Sequence, residues 1–228
     1  PGPLPEAPTY LYGRPDAAGN FETRTFTGPN QPRIEPTTRA VAGVVVTLRG
    51  VDPAAARPWD HLPVRVELAD RGIRVRQGEV GRVGFVRVGG AVEVTSTEPV
   101  YHVLRGRGAA HLSLALPDPG VVRTRTFQEP GRVELSSGAG FYWASADLFV
   151  TDHPYWTVTD ADGRFALPRV PAGRVEVVAW HPGWLPAGQD RDPETGLVSR
   201  MTYAPPVERT RPADVTAGGT CDIALTLP

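Results

Sequence analysis

The chain has 228 residues, of which 25 are Gly and 25 are Pro, about 22% together against roughly 12% in ordinary proteins. Both are poor in helix interiors, and the longest run free of both is Phe141 to His153, so a helical protein is excluded and an all-β one is predicted. Charge is balanced at 24 basic against 25 acidic residues, leaving no long-range field to draw nucleic acid, and every basic residue is Arg, which removes Lys-based Schiff-base and P-loop chemistry.

In chain order, residues 1–40 read as a Pro-rich arm of extended, polyproline-like segments, because prolines recur too closely for helix or central strand. Its aromatic residues, Tyr10 and Tyr12 with Phe21 and Phe26, need apolar surface to cover them, either on the body of the protein or on a partner. From Ala42 onward short β-branched runs alternate with charged residues between Gly and Pro. They are Val44 to Leu48, Val64 to Leu68, Ile73 to Arg76, Val83 to Val88, Ala91 to Thr95, His111 to Leu116, Val121 to Phe127, Arg132 to Leu135 and Ala146 to Val150. Period-2 runs at spacings of about 8–12 residues predict a sandwich of half-wet strands over 41–153.

A second unit is predicted over 154–228. Trp156 to Thr159 and Arg164 to Leu167 flank Asp160-Ala161-Asp162-Gly163, a hairpin signal, since Asp and Gly tolerate the positive φ of tight turns. Arg174 to Trp180 is another alternating strand, 182–212 an irregular insert, and Cys221 to Leu227 the closing strand. No window holds 18 apolar residues, so no membrane span is predicted. The opening at Pro1, with neither Met nor an apolar leader, is consistent with a signal or anchor outside the chain, and the single Cys221 excludes an internal disulfide.

The stretch from Gly43-Val44-Val45-Val46 through Glu98-Pro99-Val100-Tyr101-His102 and Pro117-Asp118-Pro119-Gly120 to Val150-Thr151-Asp152-His153-Pro154 resembles bacterial cupredoxin-like, plastocyanin-type periplasmic domains. The segment Val158-Thr159-Asp160-Ala161-Asp162-Gly163-Arg164-Phe165, with Val170-Pro171-Ala172-Gly173 and Ala179-Trp180-His181, resembles the smaller carboxypeptidase regulatory-like, prealbumin-like sandwich. The resemblance implies a Greek-key sandwich whose copper would be held by a first His, then by Cys, His and Met on the loop before the last strand. His102 falls where the first His belongs. Gly138, Phe141 and Ala144 fall where the other three belong, and the loop 136–144 contains no Cys, His or Met. A blue-copper site needs soft thiolate and thioether beside imidazole, so no cofactor is expected here; if copper binds after all, His102 is the residue to hold it.

Phe141-Tyr142-Trp143 instead puts three aromatics on that loop, either as core residues or as an interface, where aromatic side chains give large contact area at low entropic cost. His102 with His111 falls short of a Zn ligand set. Asp160/Asp162 and Asp190/Asp192/Glu194 show spacing that Ca²⁺ loops use without the rest of such a loop. Trp59, Trp156, Trp180 and Trp184 are either core residues or a sugar-stacking platform. No Gly-x-Ser-x-Gly, His-Glu-x-x-His or P-loop motif is present. The expected function is a non-enzymatic, periplasmic or otherwise extracytoplasmic scaffold or accessory subunit. It would bind protein partners through Tyr10, Tyr12, Phe141, Tyr142, Trp143 and Trp184, on a membrane assembly such as a respiratory or photosynthetic complex. A copper-handling electron carrier and a carbohydrate-binding module are the alternatives.

Overall fold

The computed structural model describes residues 9–15, 21–138, 141–191, 193–194 and 198–227. In chain order the strands are β1 (Thr9–Pro15), β2 (Phe21–Thr27), β3 (Arg33–Ile34), β4 (Val41–Ala42), β5 (Val45–Arg49), β6 (Val64–Ala69), β7 (Gly72–Gln77), β8 (Glu79–Gly81), β9 (Val83–Arg87) and β10 (Ala91–Ser96). They continue as β11 (His102–Gly108), β12 (Leu112–Leu116), β13 (Arg123–Thr126), β14 (Gly131–Ser137), β15 (Ser145–Thr151), β16 (Trp156–Val158), β17 (Gly173–His181), β18 (Pro186–Arg191), β19 (Val198–Tyr203) and β20 (Val207–Val215). Among the described residues one short 3-10 turn at Pro53–Ala55 is the whole of the helical structure, and no helix is long and apolar enough to cross a membrane. The all-β expectation holds.

The chain divides into a central unit, Pro58–Pro154 with Asp190–Met201, and a flanking unit, Pro1–Arg57 with Tyr155–Gln189 and Thr202–Pro228. The central unit is a sandwich of two five-stranded sheets, ordered β13-β10-β6-β7-β8 and β12-β11-β14-β15-β9. Each sheet is mixed: β10 pairs parallel with β6 and β15 parallel with β9, the other neighbours running antiparallel. Alternation sets the faces. Val64, Val66 and Leu68 of β6 point inward while Arg65 points out, and Val133, Leu135, Leu148 and Val150 answer from the other sheet to form one continuous core. Gly84 on β9 is a close-packing point, since a Cβ there would stand 2.7 Å from Val75 Cγ1 and 3.1 Å from Leu148 and Val64 methyls. On the outer face Asp147, almost wholly buried, pairs with Arg132 at 2.7 Å. Burial pushes its carboxyl above the ordinary value, outweighing the pull of Arg132 in the other direction.

The flanking unit has one four-stranded sheet, β16-β5-β17-β20. Its inner face carries Val44, Val46, Leu48, Val175, Val177 and Ala179. Tyr155, fully buried, ties its margins: its hydroxyl donates to Arg169 O and accepts from Arg57 N, both at 2.9 Å.

Four expectations are corrected. The strand at 45–49 pairs with β16 and β17, so the boundary between units lies at 57/58 rather than 40/41. Alternation reveals which face of a strand is buried but not which sheet buries it. The arm is not wholly extended and unpaired: β1 and β2 form an antiparallel hairpin with Tyr10 opposite Phe26, because the stretches 9–14 and 21–27 contain no Pro. The insert 182–212 contains β18, β19 and most of β20, and β20 rather than 221–227 closes the sheet. Its Pro212 lacks an N–H and is accommodated because β20 is an edge strand. Finally, Asp160-Ala161-Asp162-Gly163 makes a turn, with Asp160 Oδ1 accepting from Asp162 N and Arg164 N, but β16 pairs with β5 and 164–167 enters no ladder.

Candidate functional site at the His102 end of the sandwich

His102 opens β11 opposite Leu116, on the same inward face as Leu104, and is 1% exposed. Its Nε2 lies 2.9 Å from Glu98 Oε2, an ion-pair distance without hydrogen-bond alignment, and its Nδ1 has no hydrogen-bond partner among the described residues. The other carboxylate oxygen of Glu98 accepts from Arg71 N at 3.0 Å. Arg71, with Asp70, forms the two-residue turn joining β6 to β7, both at positive φ. Glu98 therefore faces the imidazole with one oxygen and holds a tight turn with the other. Sequence reasoning found His102 but missed this partner; the signal was the acidic residue four positions before it.

The loop between β14 and β15 is anchored by Gly138 N donating to Val103 O at 2.6 Å and by Ser137 N donating to Ala144 O at 3.2 Å. It brings the Phe141 ring to 5.9 Å from His102. Trp143 lies 5.4 Å from Phe141, with Tyr142 edge-on to it at 5.1 Å. Phe141, expected among the partner-binding residues, is 4% exposed and belongs to the core, so that assignment is corrected: its ring fills the space beside the imidazole. Tyr142 and Trp143 are half-buried, leaving part of each at the surface.

Two exposed loops share this end. Gly120 N donates to Ser96 O at 2.7 Å, and His102 pairs with Leu116, so 97–101 and 117–122 are neighbours. They carry Val100, Tyr101, Val121 and Val122, and Tyr101 and Val122 are 61% and 54% exposed. Four large apolar side chains exposed on adjoining loops form a patch of the kind that marks interaction sites. Val121 and Val122, expected to open a strand over 121–127, lie before β13, and Val100 and Tyr101 belong to no strand.

The other expected partner residues are dispersed. Trp184 is half-buried in the flanking unit, where neighbouring Gly183 accepts from Asn30 Nδ2 at 2.9 Å. Tyr10 and Tyr12 lie on β1, and their side chains fall outside the described part of the structure. Trp59 stands edge-on to His61 in the central unit, whereas Trp156, Trp180 and Trp184 belong to the flanking unit, and Trp180 is buried.

As a copper site the donor set does not fit. One imidazole with a carboxylate at 2.9 Å faces a phenyl ring, no sulfur ligand is available on the loop, and no three His, Cys, Asp or Glu converge among the described residues. The two mixed sheets of the central unit form a β-sandwich.

Residues 127–192 match the family described as polysaccharide lyase family 4, domain II. No curated protein matches the chain. Among solved structures, a copper-containing nitrite reductase from Thermus scotoductus SA-01 is similar at 16% identity and a TM-score of 0.33, over 42% of this chain and 24% of that one. An amicyanin variant in its Cu(I) form is similar at 17% identity and a TM-score of 0.31, over 46% of this chain and 98% of that one. A purple cupredoxin from Nitrosopumilus maritimus is similar at 17% identity and a TM-score of 0.29, over 38% of this chain and 98% of that one. The chain thus spans about a quarter of the nitrite reductase's length.

Proposed function

We propose that the protein is a non-enzymatic, extracytoplasmic scaffold or accessory subunit whose His102 end docks a partner protein of a membrane assembly on its periplasmic side, a respiratory or photosynthetic complex being the example the resemblance offers. The observation that carries this reading is the contrast at one end of the sandwich. Inside, His102 is packed by Phe141 and Glu98; outside, Tyr101 and Val122 are open to solvent, and Tyr142 and Trp143 are half-exposed. Aromatic and aliphatic surface on rigid loops is favourable docking material. In this reading the flanking unit is a regulatory-like sandwich that adds further irregular surface.

The test is capture from detergent-solubilised native membranes, comparing the natural chain with a Tyr101→Asp/Val122→Asp variant. The natural chain is expected to retain a defined set of partner subunits that the variant loses, with both melting at the same temperature. Equal capture by the variant, or elution of the natural chain as an unpartnered monomer, overturns the reading. Stoichiometric copper with a visible thiolate absorption would favour an electron carrier instead.

A second reading, carbohydrate recognition, is favoured by the match over 127–192 to a family named for polysaccharide lyases. Half-exposed Trp184 is its candidate stacking residue. A glycan screen in which no sugar binds at millimolar concentration, or in which Trp184→Ala binds as well as the natural chain, removes it.

A further inference from the structure

The sandwich of the central unit is shut along one margin and open along the other. On one side its sheets end in β8 and β9, which a single residue, Arg82, joins; on the other they end in β12 and β13, joined by the longer loop 117–122. β13 is laddered to β10 alone, and all four of its residues are exposed. Phe127 N donates to Gly90 O at 3.2 Å, so in this antiparallel register Arg125 and Arg123 are the next residues bonded to β10. The N–H and C=O groups of Thr124 and Thr126 therefore point away from the sheet, and such an edge is a template for a further strand.

The side chains at this edge select the strand it fits. Arg123 and Arg125 stand opposite Val94 and Val92, which are buried, and so lie on the face turned to the other sheet; both are nevertheless exposed, and neither has a partner among the described residues. Glu93, across the ladder from Thr124, is taken by Arg65 at 2.7 Å. Beside Arg125 a cleft of about 280 Å³ opens, lined also by His111, Ser113, Thr126 and buried Phe127 and by no carboxylate. That is below the roughly 300–1,000 Å³ of small-molecule sites, room for a side chain rather than a whole ligand. Exposed Val121 and Val122 run directly into β13. We infer that β13 accepts an extended acidic segment of the partner protein as a sixth strand of its sheet, with carboxylates at alternate positions facing Arg123 and Arg125 and an apolar end on Val121 and Val122. This rests on the docking reading above and names the chemistry of the partner. Guanidinium groups suit carboxylates, and inward-facing charge that only guards an edge against self-pairing is the alternative that the test separates.

The probe is the blocked peptide acetyl-Thr-Glu-Thr-Glu-Val-Val-amide, which antiparallel to β13 sets its Glu residues opposite Arg125 and Arg123 and its Val residues opposite Val122 and Val121. Added to the full chain it should bind saturably below millimolar concentration and slow exchange of the Thr124 and Thr126 amides about tenfold at ten times its Kd. Methylating the nitrogens of its two Thr residues should abolish binding, since these face the open edge. Arg123→Gln/Arg125→Gln, or Gln for both peptide Glu residues, should each weaken binding about fivefold, and the two together no further, with the melting temperature of the protein unchanged. No saturable binding at millimolar peptide, undiminished binding of the methylated peptide, or an Arg variant that binds as tightly as the natural chain overturns the proposal. So does protection of Thr124 and Thr126 without peptide in a dimer seen by size exclusion, which would make a second copy the occupant. In the membrane capture, subunits lost by Tyr101→Asp/Val122→Asp but kept by Arg123→Gln/Arg125→Gln overturn strand addition and leave the docking reading standing. Peptide binding with no subunit captured supports the strand site and overturns the docking reading.

Discussion

The two units solve one packing problem in different ways. In the central unit two laddered sheets bury each other's inner faces, so Leu68, Leu104, Leu135 and Leu148 are each 1% exposed. In the flanking unit one laddered sheet is covered by segments with the right alternation and no ladder, and Phe165, Ile223 and Leu225 stay half-buried. Apolar alternation is therefore enough to turn a segment toward a core but not to seat it. Seating also requires backbone partners, and where these are missing the roof formed by 163–170 and 218–227 stays half-buried.

The sharpest test of that difference is a pair of equal truncations. Leu148→Ala in the central unit removes a side chain packed from both sheets and should cost about 3–5 kcal/mol, the cavity adding to the lost transfer energy. Leu225→Ala in the flanking roof should cost under about 1 kcal/mol, since the side chain already meets water and the roof can settle over the gap. Urea unfolding of the two variants checks both; similar losses would mean that the roof is packed as tightly as the sandwich and that the contrast is false.

How much of this the sequence revealed follows from the same distinction. Runs such as Val64 to Leu68 and Arg132 to Leu135 were legible because one face is wet and the other dry. The edge strand at 207–215 was not, because Glu208, Arg209, Thr210 and Arg211 are all exposed and give no alternation to read. The reverse error arose at 221–227, where clean alternation accompanies no ladder. At the site, His102 and the loop at 138–144 could be located by resemblance. The sequence left Phe141 open between core and interface, and the approach of Glu98 to His102 was not legible because it depends on how the loop 97–101 folds back onto the turn at Asp70 and Arg71.

Tyr155 tests how the looser unit is held. Its hydroxyl joins the backbone at Arg57 to that at Arg169, tying the roof at one point where it lacks a ladder. Tyr155→Phe keeps the buried ring and withdraws that hydroxyl, so the expected loss is about 1–3 kcal/mol. Hydrogen exchange should localise it: amides of 163–170 should exchange faster while those of β11 and β14 are unchanged. Uniform acceleration across both units would show that Tyr155 acts on the whole chain rather than on the flanking core.

The smallest expected effect separates the units by pH. His181, at the end of β17, is buried with Nδ1 2.9 Å from Pro182 O, and desolvation lowers its pKa below the ordinary 6.5. A lowered folded-state value means that the flanking unit has this stability in full above 6.5 and loses it as pH falls through the folded value. Asp147 works in the opposite sense. Burial raises its carboxyl above 3.8 despite Arg132 and Arg82, with Glu134 adding to the rise, so the central unit has that contribution in full below 3.8 and loses it as pH rises through the raised value. Acidification from about pH 7.5 to about pH 5.5 should therefore speed exchange in β17, after correction for intrinsic rates, without weakening β15. His181→Gln should flatten the first response and Asp147→Asn should abolish any gain in β15 at lower pH. Parallel changes in both strands, or a His181→Gln variant with an unaltered slope, would place the pH sensitivity elsewhere and remove titration from what distinguishes the two units.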